Sequence, residues 1–428
     1  MDKERIQHKL KHDAERAFAM LKWIVFACLV GAVVGPFGTL FCFLMNYVTK
    51  LRTDHPYILY FLPFGAVVIT FMYHIFRKRN VSYSASGTNL VLSAIQAQDD
   101  IPLRMAPLIF VSTIMSHLVG ASVGREGAAL QMGGSIGNAI GKLFKFSEND
   151  KHTIIMCGMS AAFSAVFGTP MAAAVFSMEV VSVGIMHYAA LVPCVISAFI
   201  ARAIARYFGF PDSHFIIAGY PAFSLKTAAI IIGFAAVCGI MSMVFCFLLN
   251  RSEKICEDKI KSPYIRALIG GTLVLLMTLI SGGQTYNGTG AAIIEDVFAG
   301  NTVFAAAFLP KMIFTVVSIL AGYKGGEIVP SFCIGTSLGV FFGWIFGFSP
   351  EATVLLAAVG MGAFFCGVTN CPITSLLICL ELFGMDAMPY FLLAIAISYM
   401  ISGYYGLYTS QKILYSKYKS NYINKKIH

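Results

Sequence analysis

Long apolar stretches dominate the pattern of hydrophobic and polar positions along this chain. Leu21 to Val48 holds a single Lys, at its start; Tyr57 to Phe76 holds no Asp, Glu, Lys or Arg; Lys226 to Asn250 holds one Lys, at its edge. Apolar runs of roughly 18 or more residues read as membrane-spanning helices. At least eight strong candidates occur, with several shorter or glycine-interrupted ones between them.

Two of the interrupted stretches share a design. Gly120-Ala-Ser-Val-Gly124-Arg-Glu-Gly127 breaks an apolar run and opens a helix predicted over Ala128 to Phe144; Gly322-Tyr-Lys-Gly325-Gly326-Glu327 does the same before Pro330 to Phe346. Glycine before a helix and proline in its first turn are start signals. A helix that starts at membrane depth exposes free backbone N–H groups and the positive end of its dipole. Such an end binds anions. Glycine-rich turns also serve close helix packing, but a carboxylate at each break favours the anion reading.

The breaks belong to an internal repeat. Gly158 to Val180 (GMSAAFSAVFGTPMAAAVFSMEV) aligns without a gap on Gly360 to Leu382 (GMGAFFCGVTNCPITSLLICLEL), an offset of 202 residues that pairs Pro170 with Pro372 and Glu179 with Glu381. The same offset pairs Gly133, Ser135 and Gly137 with Gly335, Ser337 and Gly339. GRE at 124–126 meets GGE at 325–327 after a one-residue slip. Two halves are expected, 21–210 and 211–418, with the substrate site at their interface. Residues 1–20 are expected as an amphipathic helix on the inner membrane surface and 419–428 as a short basic tail. Sequence leaves open whether the halves are parallel or inverted.

Composition narrows the function classes. Only 12% of the residues are charged, against about 25% in soluble domains. The net charge of +10 comes without a basic stripe interleaved with aromatics, so nucleic acid is not an expected partner. Lys3, Arg5, Lys9, Lys11, Arg16 and Lys22 precede or open the first apolar stretch, and Lys412, Lys417, Lys419, Lys425 and Lys426 follow the last. Basic flanks mark the cytoplasmic side, so a multi-pass protein of the cell (plasma) membrane with both termini cytoplasmic is expected. Eleven cysteines without CxxC spacing, most in apolar stretches, read as small buried hydrophobes. His117, His152 and His187 are isolated. With no HExxH, P-loop or recognisable triad, neither enzyme chemistry nor a metal or cofactor is expected.

The motifs resemble those of the CLC anion channel and transporter family. Gly124-Arg-Glu-Gly127 resembles its GxEGP signature, Gly326-Glu-Ile-Val-Pro330 its GxFxP, and Lys412-Ile-Leu-Tyr415-Ser416 the K-P-L-Y-S stretch carrying the pore tyrosine. The resemblance runs from about Leu21 to Tyr418. It implies an all-α integral membrane protein with two inverted-topology repeats of many tilted, broken helices. It also implies a homodimer in the lipid bilayer with one halide pathway per subunit. Nothing here resembles the paired regulatory nucleotide-binding modules that follow the pore in many members. Glu126 falls on the gating glutamate, which couples proton and anion occupancy. Gly127, Ala128, Ile328, Val329 and Tyr415 fall on anion-binding positions. Glu179 and Glu381 fall on structural glutamates at helix ends. A carboxylate at membrane depth costs roughly 2.5–3.5 kcal/mol on insertion scales, so Glu126 requires a role; pairing with Arg125 is the structural alternative.

Three departures bear on the transported ion. The proton-accepting glutamate of chloride/proton exchangers is Val180 here. The G-S-G-I-P signature is replaced by Ala85-Ser-Gly-Thr-Asn-Leu-Val-Leu92, leaving Ser86 or Thr88 as the hydroxyl donor to the anion; G-T-N-L-V-L is similar to the G-N-N-L-I-L of the fluoride-selective branch. Glu327 replaces an apolar residue, as in the fluoride exporters. A protonatable carboxyl suits strongly basic fluoride better than chloride. The expectation is proton-coupled halide antiport, chloride or fluoride, with a passive voltage-gated chloride channel and another inverted-repeat transporter as alternatives.

Overall fold

A computed structural model describes residues 3–76, 87–96, 100–217, 219–419 and 421–427. The first half carries α1 (Lys3–Asp54), α2 (Leu62–Phe76), α3 (Thr88–Ile95), α4 (Met105–Val119), α5 (Glu126–Leu143), α6 (Glu148–Phe167), α7 (Pro170–Glu179) and α8 (Leu191–Tyr207). The second carries α9 (Leu225–Lys259), α10 (Pro263–Ile280), α11 (Ala291–Phe298), α12 (Phe308–Leu320), α13 (Ile328–Ile345), α14 (Pro350–Thr369), α15 (Pro372–Phe383) and α16 (Met388–Ile401). The 202-residue offset maps α5 onto α13 and α6 onto α14 end for end.

Among the described residues, seven helical stretches are long and apolar enough to cross a membrane; α4, α12, α15 and α16 are apolar but shorter. The expected count of at least eight therefore falls by one. The helix expected over 1–20 is not a separate element, because α1 runs unbroken from Lys3 through the first span. Lys22 ties that span to the start of α6 through a 2.7 Å ion pair with Asp150. The helical body is completed by a small sheet of β1 (Ser182–Val183), β2 (Lys412–Tyr415) and β3 (Tyr422–Lys426), with β1 parallel to β2 and β2 antiparallel to β3.

The repeat reappears as packing. A Cβ on Gly133 would lie 2.1 Å from the Gly158 carbonyl oxygen, and one on Gly335 would lie 2.3 Å from that of Gly360. Backbone thus touches backbone where α5 crosses α6 and where α13 crosses α14, a closeness only small residues permit.

The halves also cap each other reciprocally. The Glu179 carboxylate, at the end of α7, accepts from Ile373 N (3.0 Å), Thr374 N (2.8 Å) and Thr374 Oγ1 (2.6 Å) at the start of α15. The Glu381 carboxylate, at the end of α15, accepts from Met171 N (3.0 Å) and Ala172 N (2.9 Å) at the start of α7. Pro170 and Pro372 occupy the first turns, where a missing N–H loses nothing. Each carboxylate satisfies orphan N–H groups and sits on the positive end of a helix dipole. These exchanged caps define a two-fold relation between the halves, with α7 and α15 head to tail.

Gly133→Ala should cost at least about 3 kcal/mol, because two backbones must part. Gly233→Ala, where nothing lies within 4 Å of the added carbon, should be neutral or stabilising by up to about 1 kcal/mol. Thermal unfolding of the purified variants in detergent measures both.

Candidate anion site at the paired helix breaks

The two glycine-rich breaks pair with each other. Gly124 and Gly326 form an antiparallel bridge in which each N–H donates to the other's carbonyl, at 2.5 and 2.8 Å. Two more repeat-related bonds flank it: Ser122 N donates to Ser318 Oγ (2.9 Å) and Lys324 N donates to Ser116 Oγ (3.0 Å). The breaks therefore satisfy their own backbone at membrane depth and leave the helix starts that follow them side by side.

This register corrects the one-residue slip. Gly124 pairs with Gly326 at the common offset, so Glu126, first residue of α5, corresponds to Ile328, first residue of α13. Glu327 corresponds to Arg125, and both are N-cap residues. The two carboxylates are not repeat mates and occupy different environments. Glu126 is fully buried, and its Oε2 accepts from Arg125 N at 3.1 Å. Its Oε1 lies 3.3 Å from Arg125 Nε. The carboxylate thus folds back over the start of its own helix. Glu327 is partly exposed to a cavity.

Three helix N-termini converge here. A Cβ on Gly127 would lie 2.9 Å from Gly326 Cα and 3.2 Å from Thr88 Oγ1, which brings the starts of α3, α5 and α13 together. Thr88 opens α3 and is nearly buried. Ser86 lies outside the described residues. Gly127, Ala128, Ile328 and Val329 are buried in the first turns of α5 and α13, whose N–H groups have no intrahelical acceptor. Donors and dipole ends converging from three helices suit a small anion.

A vestibule of about 170 Å³ adjoins this point. Thr88, Gln131, Lys324, Glu327 and Tyr408 line it toward the breaks, and Glu253, Cys256 and Arg266 line it toward the junction of α9 and α10. The Gln131 amide donates to the Gly127 carbonyl at 3.2 Å. The Lys324 ammonium sits 4.6 Å from the centre of the Tyr73 ring rather than beside Glu327.

The pore-tyrosine assignment changes. Tyr415 ends β2, is 43% exposed and packs on Tyr422 with ring centres 5.7 Å apart, away from the vestibule. Tyr408 is the tyrosine on the vestibule wall: it is 2% exposed, and no hydrogen bond reaches its buried hydroxyl among the described residues. The chain leaving α16 lines the vestibule with Leu407, Tyr408 and Thr409, and by Lys412 it has turned away into the sheet. Local likeness to K-P-L-Y-S carried no information on that turn.

Other residues escaped the sequence reading. Lys311, fully buried on α12, braces the first break by donating to Ser122 Oγ (2.9 Å), Gly288 O (2.8 Å) and Tyr286 O (3.1 Å). Arg52, buried at the end of α1, donates to the His117 carbonyl at 2.7 Å. A lone cation inside an apolar run was the available signal for Lys311; Arg52, beside Lys50 and Asp54, offered none. Among the described residues no cluster of His, Cys, Asp and Glu could hold a metal.

The model of the family described as voltage gated chloride channel matches residues 64–403. The chain belongs to this family. It is 33% identical over 408 residues to a chloride/fluoride channel protein of Pseudomonas syringae pv. tomato, covering 93% of this chain and 88% of that one. An H(+)/Cl(−) exchange transporter of Vibrio parahaemolyticus is 24% identical over 84% of this chain and 81% of its own length. Among solved structures, a CLC-type fluoride/proton antiporter superposes with a TM-score of 0.87 at 29% identity, covering 92% of this chain and 98% of that one. A slow cyanobacterial Cl−/H+ antiporter shares the fold, with a TM-score of 0.73 at 20% identity over 89% and 94% of the two chains. The chain has the CLC fold of an all-helical membrane protein, and its small sheet is an addition to that helical body.

Loss of the Tyr408 hydroxyl separates the two tyrosine assignments. Tyr408→Phe should weaken halide binding roughly tenfold, the worth of one hydrogen bond to a charged group, and Tyr415→Phe should leave it unchanged. Calorimetric titration of each purified variant checks this.

Proposed function

We propose that this protein exchanges a halide for protons across the cell membrane and that fluoride is its preferred anion. The observation that carries the reading is the position of Glu126: a buried carboxylate folded over the N-terminus of α5, where three helix starts converge. Ionised, it occupies the place of an anion. Protonated, it loses its attraction for the dipole end and leaves that place to the halide. One side chain then binds proton and anion in turn, which is the requirement for exchange. Pairing with Arg125 belongs to this arrangement, since Arg125 holds the carboxylate in its closed position.

The preference for fluoride rests on Glu327 and on the relatives. Glu327, Thr88, Gln131 and Tyr408 face one vestibule, so a protonated carboxyl offers a hydrogen-bond donor beside hydroxyl and amide groups. Fluoride, a small and strong acceptor, gains more from these donors than chloride does. The relative named a chloride/fluoride channel protein and the fluoride/proton antiporter structure support the same anion. Both termini are assigned to the cytoplasm, the halves to 21–210 and 211–418, and the assembly to a homodimer.

Liposomes containing the protein test the reading with paired fluoride and pH electrodes. The wild type should release fluoride faster than chloride and move protons in the opposite direction. Glu126→Gln should abolish proton movement and leave any residual anion flux insensitive to pH. Proton-coupled flux in Glu126→Gln contradicts the gate. A wild type that conducts chloride without protons makes the protein a passive channel.

Replacing the second carboxylate tests selectivity. Glu327→Ala should lower the fluoride-to-chloride flux ratio by roughly tenfold, the value of one charge-assisted hydrogen bond. A wild type that carries chloride as readily as fluoride removes the claim.

A further inference from the structure

We propose that Glu253 is the proton acceptor at the mouth of the vestibule and collects the protons delivered to Glu327. The inference rests on the proton-coupled reading above and supplies the route that Val180 cannot.

The neighbourhood of Val180 is closed to protons. Val180 is fully buried, and its carbonyl accepts from Gln411 Nε2 at 2.9 Å, which also donates to the Thr369 carbonyl at 3.1 Å. Gln96 Nε2 donates to the carbonyls of Val181 (3.0 Å) and Ser410 (2.9 Å). These amides have no dissociable proton to relay. The adjacent Glu179 is committed to three donors at the start of α15. Lys417 is held by Asn370 Oδ1, the Tyr399 carbonyl and Ser402 Oγ.

The vestibule offers what that region lacks. Its roughly 170 Å³ has room for several waters, and its polar lining supplies their partners. It joins an exposed carboxylate, Glu253 near the end of α9, to a recessed one, Glu327 at the break. A carboxylate on the wall of an anion route repels the anion, so its presence needs another reason. The charged groups facing Glu253 are Glu257 and Lys254 on its own helix, Lys324 from the second break and Arg266 from α10. Neither of the last two is committed to it: Lys324 stacks on Tyr73 and Arg266 pairs with Glu257 at 3.5 Å. The charge of Glu253 is felt at Glu327.

The transfer has two steps. A hydronium ion at the mouth gives its proton to the Glu253 carboxylate and becomes water. The neutral acid then passes the proton through vestibule water to the Glu327 carboxylate and returns to its ionised form.

Wild type, Glu253→Gln and Glu253→Asp are compared in liposomes under a fluoride gradient, with protons and fluoride recorded together. Glu253→Gln should lower the protons moved per fluoride about a hundredfold, the lower end of what a positioned acid–base group contributes, and Glu253→Asp should restore most of the loss. An unchanged ratio in Glu253→Gln overturns the inference, whether the two fluxes stay the same or fall together. A wild type that moves no protons overturns the antiport reading itself, and this inference with it.

Discussion

A helix that begins inside a membrane leaves its first N–H groups without water and without an intrahelical acceptor. The rest of this architecture follows from how that constraint is met. At the breaks, Gly124 and Gly326 bond to each other through their backbones, and Ser318 and Ser116 receive the N–H groups of Ser122 and Lys324. What stays available is the first turn of α3, α5 and α13, gathered around Gly127. The fold thereby converts a backbone liability into a place for an anion. The Glu126 carboxylate lies over the start of α5, and in the proposed function it is the built-in occupant of that place.

The same constraint recurs at α7 and α15 and is met differently. There the exposed N–H groups receive the carboxylate of the opposite half, Glu179 for α15 and Glu381 for α7. Glu179, buried, and Glu381, half-buried, fix the halves against each other, and a third glutamate, Glu126, is the one we propose for the exchange of protons and anions. The distinction lies in what each carboxylate holds. Glu179 and Glu381 accept from helix starts across the two-fold relation; Glu126 accepts from its own chain neighbour, Arg125, and among the described residues displacing it breaks no hydrogen bond between the halves.

Much of this was legible from residues. The offset that pairs Glu179 with Glu381, each nine residues after a proline, foretold the repeat, and the family resemblance implied the helix-end role of the two glutamates. Glycine-rich breaks followed by Pro330 marked helix starts. What failed were inferences that needed the third dimension. The slip that joined Glu126 to Glu327 maximised identity, whereas the backbone pairing of Gly124 with Gly326 sets the true register. Tyr415 was chosen by local likeness, and Tyr408 is the tyrosine that enters the site, because the path of a chain after its last helix depends on the strand it joins. Lys311 and Arg52 gave no periodic signal, and their partners lie far away in sequence.

The central claim is that Glu126 occupies an anion site built from helix N-termini. Titrating fluoride and chloride calorimetrically into purified wild type and Glu126→Gln at the same pH tests it most directly. The account predicts saturable binding that is tighter in Glu126→Gln, because the competing carboxylate charge is gone, and tighter for fluoride than for chloride. Equal affinity in the two proteins, or no binding of either anion to Glu126→Gln, would contradict it.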